Sequence, residues 1–199
     1  MTKEIAKKLT PMLRVTVVAL LISIPTLLLA LTVEGNAYPK EVSIQGKQLK
    51  LVGAGLREKW FFDVYTMGAY TEGGACGAKA QIKGEEVKYL RIDMLRDVPA
   101  EKMAQALKEA FDKNTPKNAP NELKQQVNTF VSYFKKECTK GTKIEFVYAP
   151  GKGTVLKQNG QKLGPNIPGK PFSDVLWSCY FGGNTCCPKL KKQILSHCK

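Results

Sequence analysis

From residue 42 onward, strand-like and helix-like periodicity come in blocks rather than in strict alternation, which restricts the chain to a short list of folds. Residues 42–50 read as a short hairpin that turns at Gly46. Residues 60–65, Trp-Phe-Phe-Asp-Val-Tyr, form an aromatic and β-branched run that predicts a buried strand. Residues 71–77 read as a glycine-rich turn, and residues 87–95 alternate well enough for a further strand. Met103, Leu107 and Phe111 then recur every four residues. That stripe predicts a helix over residues 99–113, with Pro99 near its start, where a missing N–H costs little. A loop with two prolines follows, and Leu123, Val127, Phe130, Val131 and Phe134 mark a second amphipathic helix. Residues 144–148 and 154–157 read as paired strands about a Pro150-Gly151-Lys152-Gly153 turn, and Asn159-Gly160 is a strong hairpin signal. Pro171 opens a third helix with Phe172, Val175, Leu176, Cys179 and Tyr180 on one face, and residues 188–197 suit a short fourth. Strands, two helices, strands, two helices is the order of an α+β domain.

The first 37 residues have a different character. Lys3, Lys7, Lys8 and Arg14 precede an uncharged stretch, residues 15–31, broken only by Thr16, Ser23, Pro25 and Thr26. Gly35-Asn36-Ala37 follows, a small-x-small triplet that suits signal-peptidase cleavage. Residues 1–37 are therefore expected to be a secretory leader, with residues 38–199 the folded domain. An uncleaved signal anchor over residues 15–31 is the rival, although Pro25 interrupts a continuous helix. Both readings put the domain outside the cytoplasm, periplasmic or extracellular.

All six cysteines, Cys76, Cys138, Cys179, Cys186, Cys187 and Cys198, lie beyond the leader. An even count in an exported chain predicts disulfides. Sequence leaves the pairing open, but Cys186 and Cys187 are adjacent and are expected to bond to two different partners. Four of the six fall in the last 21 residues, which predicts a stapled C-terminal end. The spacing of Cys186, Cys187, His197 and Cys198 lacks the C-x2-C pattern of zinc sites, so no metal is expected. His197 is the single histidine, which argues against Ser-His-Asp and Cys-His catalysis. Pro150-Gly151-Lys152-Gly153-Thr154 sits between strands and lacks phosphate-loop spacing, so no nucleotide or other cofactor is expected. The formal net charge of the whole chain is +14. The lysines are scattered and no nucleic-acid motif accompanies them, so nucleic acid is not an expected partner. Lipid headgroups and acidic polysaccharide are the other anionic partners that this charge implies, so membrane association is expected through the basic surface or through an uncleaved leader.

Arg57 stands out locally. It follows Gly53-Ala54-Gly55-Leu56 and precedes a heavily apolar run, and a guanidinium kept from water needs an anionic partner. That partner is either an internal carboxylate, Asp63 or Asp97, or the carboxylate or phenolate of a ligand. The two glycines read as a bend that swings the chain into the next strand.

Gly53-Ala54-Gly55-Leu56-Arg57, then Phe61-Phe62-x-Val64-Tyr65-x-x-Gly68-Ala69-Tyr70, resembles the front half of the chalcone isomerase family. Leu95-Arg96-Asp97-Val98-Pro99-Ala100-Glu101-Lys102 resembles the segment leading into the first helix of its bacterial branch. Tyr148-x-Pro150-Gly151-x-Gly153-Thr154, Asn159-Gly160, Ile167-Pro168-Gly169 and Phe172-x-x-Val175-Leu176 resemble its C-terminal half. The resemblance implies an open-faced β-sandwich: a long antiparallel sheet, helices layered on one face, and a ligand cleft between. It also implies one of two activities. Some members cyclise chalcones by intramolecular addition, and others bind fatty acids in the same cleft. The family's ligand-facing arginine matches Arg57; its threonine on the next strand falls at Tyr65, and a threonine on the late helix falls at Ser178. The family's catalytic tyrosine and asparagine have no counterpart, since residues 99–113 contain neither type.

The expected function is thus binding of a small, apolar, anionic ligand such as a fatty acid. Arg57 would hold the carboxylate, Tyr65 and Ser178 would donate hydrogen bonds, and Phe61, Val64, Leu107, Phe111 and Leu176 would line the cleft. The alternatives are an intramolecular lyase of the chalcone isomerase type, with Arg57, Tyr65 and Ser178 as its catalytic groups, and a structural protein whose cleft is filled by its own side chains.

Overall fold

The computed structural model describes residues 30–198. Residues 15–29 of the proposed leader lie outside the described residues, as do the charged residues before them. The described chain opens on a hairpin, β1 (Ala30–Val33) and β2 (Asn36–Pro39). Its turn places Glu34 at φ 46° and Gly35 at φ 77°, the double left-handed geometry that matches strand twist. The Gly35-Asn36-Ala37 triplet therefore sits inside a folded element. β1 begins at Ala30, eight residues before the expected boundary at Tyr38, and cleavage after Ala37 would remove β1 and split β2.

Seven further strands make one antiparallel sheet in which each pairs with the next in sequence: β3 (Glu41–Ile44), β4 (Lys47–Lys59), β5 (Phe62–Thr71), β6 (Lys88–Met94), β7 (Lys143–Ala149), β8 (Gly153–Gln158) and β9 (Gln161–Lys162). Helices are inserted into the connections without disturbing that order. A short α1 (Ala78–Lys83) lies between β5 and β6; α2 (Ala100–Asn114) and α3 (Asn121–Val131) lie between β6 and β7; α4 (Lys170–Phe181) and α5 (Pro188–Ser196) follow the sheet. The class is α+β, an antiparallel sheet with a helical layer. The strand at 87–95, the helices α2 to α5 and the Asn159-Gly160 turn fall close to where the sequence places them. Among the helices only α1 has no counterpart in the sequence reading, because six residues are too few to show helical periodicity; among the strands β1 and β2 have none, since the sequence reading assigns residues 1–37 to a leader.

Alternation divides the sheet into two faces. Tyr65, Met67 and Ala69 of β5, Leu90, Ile92 and Met94 of β6, and Ile144, Phe146 and Tyr148 of β7 point toward the helices and join the main core. α4 is the centre of that core: eight of its twelve residues are buried, so it is apolar nearly all round, as a helix enclosed by others must be. Phe172 of α4 meets Phe130 of α3 at 5.0 Å and Phe111 of α2 at 5.6 Å between ring centroids. Truncating Phe130 to Ala would cost about 3–5 kcal/mol, the usual range for a buried aromatic.

The opposite face is smaller and partly polar. Tyr38 of β2 lies flat on it, and a Cβ on Gly68 would sit 2.3 Å from the Tyr38 ring, so Gly68 is the seat of that ring. The Tyr38 hydroxyl bonds Thr66 Oγ1 at 2.6 Å and Asp93 Oδ2 at 2.9 Å. Arg91 pairs with Asp93 at 2.7 Å, donates to the Ala37 carbonyl, and lies over the Tyr38 ring. Asn36 adds a bond to Thr66. The β1–β2 hairpin is thereby fastened to a half-buried ionic network.

Three readings are corrected. Residues 60–65 are not one buried strand: Trp60 and Phe61 form the two-residue turn between β4 and β5, and Trp60, Phe61 and Phe62 are 85%, 97% and 58% exposed. Gly53 and Gly55 are not a bend but lie within β4, where α5 crosses so closely that a Cβ on Gly53 would be 2.1 Å from the Ile194 carbonyl oxygen. Cys186 and Cys187 bond to each other rather than to separate partners. The second disulfide joins Cys76 to Cys198, and Cys138 and Cys179 are free thiols in the core.

Candidate functional site

Gly53, Gly55 and Arg57 alternate along β4 and so share the helix-facing side of the sheet. α5 uses the space over the glycines: Ile194 and His197 lie over Gly53, Leu190 and Gln193 over Gly55. Arg57 comes next, beyond the N-terminal end of α5. Its register partner on β5 is Tyr65, so the two side chains stand side by side on one face, with Cβ atoms about 4.5–5.5 Å apart for such a pair.

There the core opens into a cavity of about 420 Å³. That lies within the roughly 300–1,000 Å³ of small-molecule sites. The sheet supplies its floor, with Val64, Tyr65, Ile92, Ile144 and Phe146. α2 supplies its roof with Met103, Ala106, Leu107 and Ala110, and Phe134 and Tyr180 close its inner end. The space exists because α2 brings small or flexible side chains here, whereas Phe111, Phe130 and Phe172 fill the neighbouring region. The Cys186–Cys187 disulfide forms part of one wall. Trp60 and Phe62 stand at the mouth with Arg57, Lys59, Arg96 and Lys102. Four cations against one carboxylate, Asp97, make the mouth electropositive.

The polar groups of the cavity are few and specific. Arg57 is half-buried, donates to the Glu58 carbonyl, and has no ion-pair partner among the described carboxylates. Neither internal partner anticipated for it takes that role: Asp63 is exposed, and Asp97 accepts the backbone N–H of Lys140 at 2.7 Å. The Tyr65 hydroxyl lies 3.6 Å from Cys187 Sγ. Burial pushes the Tyr65 phenol up to about 12, with the positive charge of Arg57 opposing the rise. Burial also drives the Tyr180 phenol upward, reinforced by Tyr65 and Cys179 and opposed by Arg57. Both phenols therefore remain protonated near neutrality and can donate to an anion held by Arg57. No histidine lines the cavity, and no cluster of metal-ligating side chains occurs among the described residues.

Of the residues singled out from sequence, Arg57, Tyr65, Val64 and Leu107 line this cavity. The other four do not. Ser178 donates its hydroxyl to the Asp174 carbonyl, one turn back on α4, at 2.7 Å. Phe111 and Leu176 are fully enclosed in the core, and Phe61 projects into solvent. Tyr180, Met103, Arg96, Lys102 and the Cys186–Cys187 bridge were missed. Met103 belongs to the Leu107 stripe, one turn earlier, and Tyr180 lies one turn beyond Leu176. Helical phase thus held a usable signal for these two, but none for the vicinal bridge.

An antiparallel sheet under a helical layer, with an apolar chamber whose arginines have no ion-pair partner among the described residues, defines a class of small-molecule-binding folds. The chain matches the chalcone isomerase-like family over residues 30–196 and belongs to it. The crystal structure of a fatty-acid binding protein from Arabidopsis thaliana is similar, with a TM-score of 0.68 and 16% identity, covering 83% of this chain and 95% of that one. At that identity the likeness is one of fold. No curated protein matches the chain in sequence.

Proposed function

We propose that this chain is a binding protein for a slender apolar molecule with an anionic head, a fatty acid being the best fit. The observation that carries the reading is Arg57: a cation without an ionic partner among the described residues, at the edge of an apolar chamber, beside a phenol that stays protonated. A carboxylate satisfies both groups at once, through charge-assisted bonds from the guanidinium and a hydrogen bond from Tyr65. The hydrocarbon tail would run beneath Met103 and Leu107. The name of the structurally similar plant protein, a fatty-acid binding protein, agrees with this assignment.

Site chemistry also favours binding over turnover. Among the described residues, the one carboxylate in the lining is engaged with backbone, and no carboxylate or imidazole stands beside Tyr65. Native mass spectrometry of the chain purified from its host, with fatty-acid titration of delipidated protein, tests the assignment. A co-purifying carboxylic lipid is the expected result. Conversion of a chalcone by the bare protein would replace this reading with that of an intramolecular lyase.

We place this activity outside the cytoplasm. The apolar leader and the two disulfides agree with that location, since such bonds persist mainly in oxidising compartments. Cell fractionation is the check, and recovery of reduced protein from the cytosol would overturn it.

A further inference from the structure

The turn between β4 and β5 breaks two rules of soluble proteins at once. It exposes three consecutive aromatic residues, Trp60, Phe61 and Phe62, the only exposed large hydrophobic side chains among the described residues. It also sets Trp60 at φ 61°, left-handed backbone that bulky side chains rarely adopt and that turns normally give to Gly or Asn. A strained aromatic at a hairpin tip costs stability and solubility and gives the core nothing. Such outliers concentrate where function requires them.

The surroundings indicate what the tip meets. Lys59 flanks it, Arg96 stacks on Phe62 at 4.4 Å, and Lys102 and Arg57 stand behind at the cavity mouth. Lys189 neutralises Glu58; Asp63, Asp97 and Glu101 are exposed acidic residues on the same segments. The tip is therefore a small apolar wedge in a mainly cationic collar. We propose that it is a membrane-docking element, which inserts Trp60 and Phe61 into the interface of a bilayer bearing anionic lipid and seats the cavity mouth on that surface.

Each feature fits such a partner. Tryptophan prefers the headgroup boundary, with its apolar body in the acyl region. Each lysine or arginine near an anionic surface adds electrostatic attraction that salt weakens. A second copy of this chain is a poorer occupant, because its own tip carries the same cationic collar of Lys59, Arg96 and Lys102 and the two collars would repel each other. Docking here also sets Arg57 and the apolar chamber against the bilayer, so that a lipid with an anionic head need not cross water to reach it. That last step rests on the ligand reading above; the docking does not.

The two tryptophans make the test direct, since Trp60 is 85% exposed and Trp177 is fully buried. The full-length chain is mixed with phosphatidylcholine–phosphatidylglycerol vesicles whose acyl chains carry bromine, and with brominated phosphatidylcholine vesicles alone. Because an apolar leader can hold the chain on vesicles by itself, the readout is Trp60 and not sedimentation. The expected result is a blue shift and bromine quenching of Trp60 on the anionic vesicles, both weakened by high salt. Phe61→Asp keeps the reporter and alters a side chain that is outside the cavity lining. It should lower the vesicle partition constant, read from Trp60 over a lipid titration, roughly 10- to 100-fold, the worth of one buried phenylalanine. Its fatty-acid affinity in vesicle-free buffer should match wild type, so failure of docking and failure of ligand binding are read separately. The proposal is overturned if Trp60 stays open to an aqueous quencher on anionic vesicles, or if Phe61→Asp inserts as well as wild type. It is equally overturned if Trp60 is already shielded without lipid, which would mean that a second copy or the leader covers the tip.

Discussion

Replacing Arg57 with Ala separates the proposed anchor from a merely structural arginine. The guanidinium spends one donor on the Glu58 carbonyl and has no carboxylate partner among the described residues, so the empty protein has little to lose. Its melting temperature should stay near that of wild type, because no paired buried charge is broken. The bound state should lose a charge-assisted contact of about 2–4 kcal/mol, which weakens fatty-acid binding by roughly 30- to 1,000-fold. The loss should fall at the lower end of that range, since Arg57 is half-buried and water screens it in part. Arg57→Lys keeps the charge but not the planar fork, and should fall between the two. The pH profile adds a second constraint. A guanidinium does not deprotonate in proteins, and Tyr65, pushed up to about 12 by burial, keeps its proton, so affinity should be flat between about pH 6 and 9. It should fall only as the ligand carboxyl itself becomes protonated. Calorimetric titration with a soluble fatty acid, paired with thermal melts, measures both. Wild-type affinity in Arg57→Ala, or a large drop in its melting temperature, would refute the assignment.

Other expectations follow from residues away from the cavity. Burial lowers Lys88 from the usual 10.5 to about 7, while its ammonium donates to the Gln81 and Ile82 carbonyls and faces Trp177. The unfolded chain therefore holds a proton that the folded chain sheds. Stability measured by denaturant should rise from pH 7 toward 10 and fall as pH drops toward 7, and Lys88→Met should flatten that rise. Without reductant, the native protein should show no rapidly reactive thiols and the denatured protein two, Cys138 and Cys179; four or more would mean that a disulfide is missing. N-terminal sequencing of the chain purified from its host should find a start at or before Ala30, because a chain beginning at Tyr38 loses β1, the Asn36–Thr66 bond and the Ala37 acceptor of Arg91.

What could be read from sequence was what local periodicity encodes. α2, α3 and α4 declare themselves by apolar stripes, and β7 and β8 by their run lengths and the turns that bound them. Arg57 and Tyr65 could be found because the strand pattern and the family motif agree on them. The failures share a cause: each depended on a tertiary neighbour. An apolar run such as residues 60–65 is expected to be buried, and nothing local reveals that its first three members form a tip with no core above them. The Gly53-Ala54-Gly55 segment looks like a bend until α5 is placed across it. Ser178 and Tyr180 are two residues apart on α4, so they face different ways, and only packing decides which of them meets the cavity. Arg96 and Lys102 look like ordinary solvated charges until α2 brings both to one mouth.

The C-terminal end of the chain ties these observations together. β3 pairs only with Lys47–Lys50, so most of β4 has no strand partner along that edge. α5 covers the region, and the Gln193 side-chain carbonyl accepts the Leu56 N–H at 2.7 Å. That contact fixes the backbone one residue before Arg57. α5 is itself held at its far end by Cys76–Cys198, which closes a loop of 122 residues. A closure of that length is worth about 4–5 kcal/mol in the chain-entropy account. At its near end the Cys186–Cys187 bridge forms cavity wall beside the Tyr65 hydroxyl. Oxidation therefore does more than staple a loose terminus. It holds the helix that covers the exposed edge of β4, and through Gln193 it fixes the strand that presents the arginine. Glycines at 53 and 55, an arginine at 57 and cysteines at both ends of α5 are parts of one device, in which the glycines admit the helix, the bridge at Cys198 anchors it, and the arginine stands just past its N-terminal end.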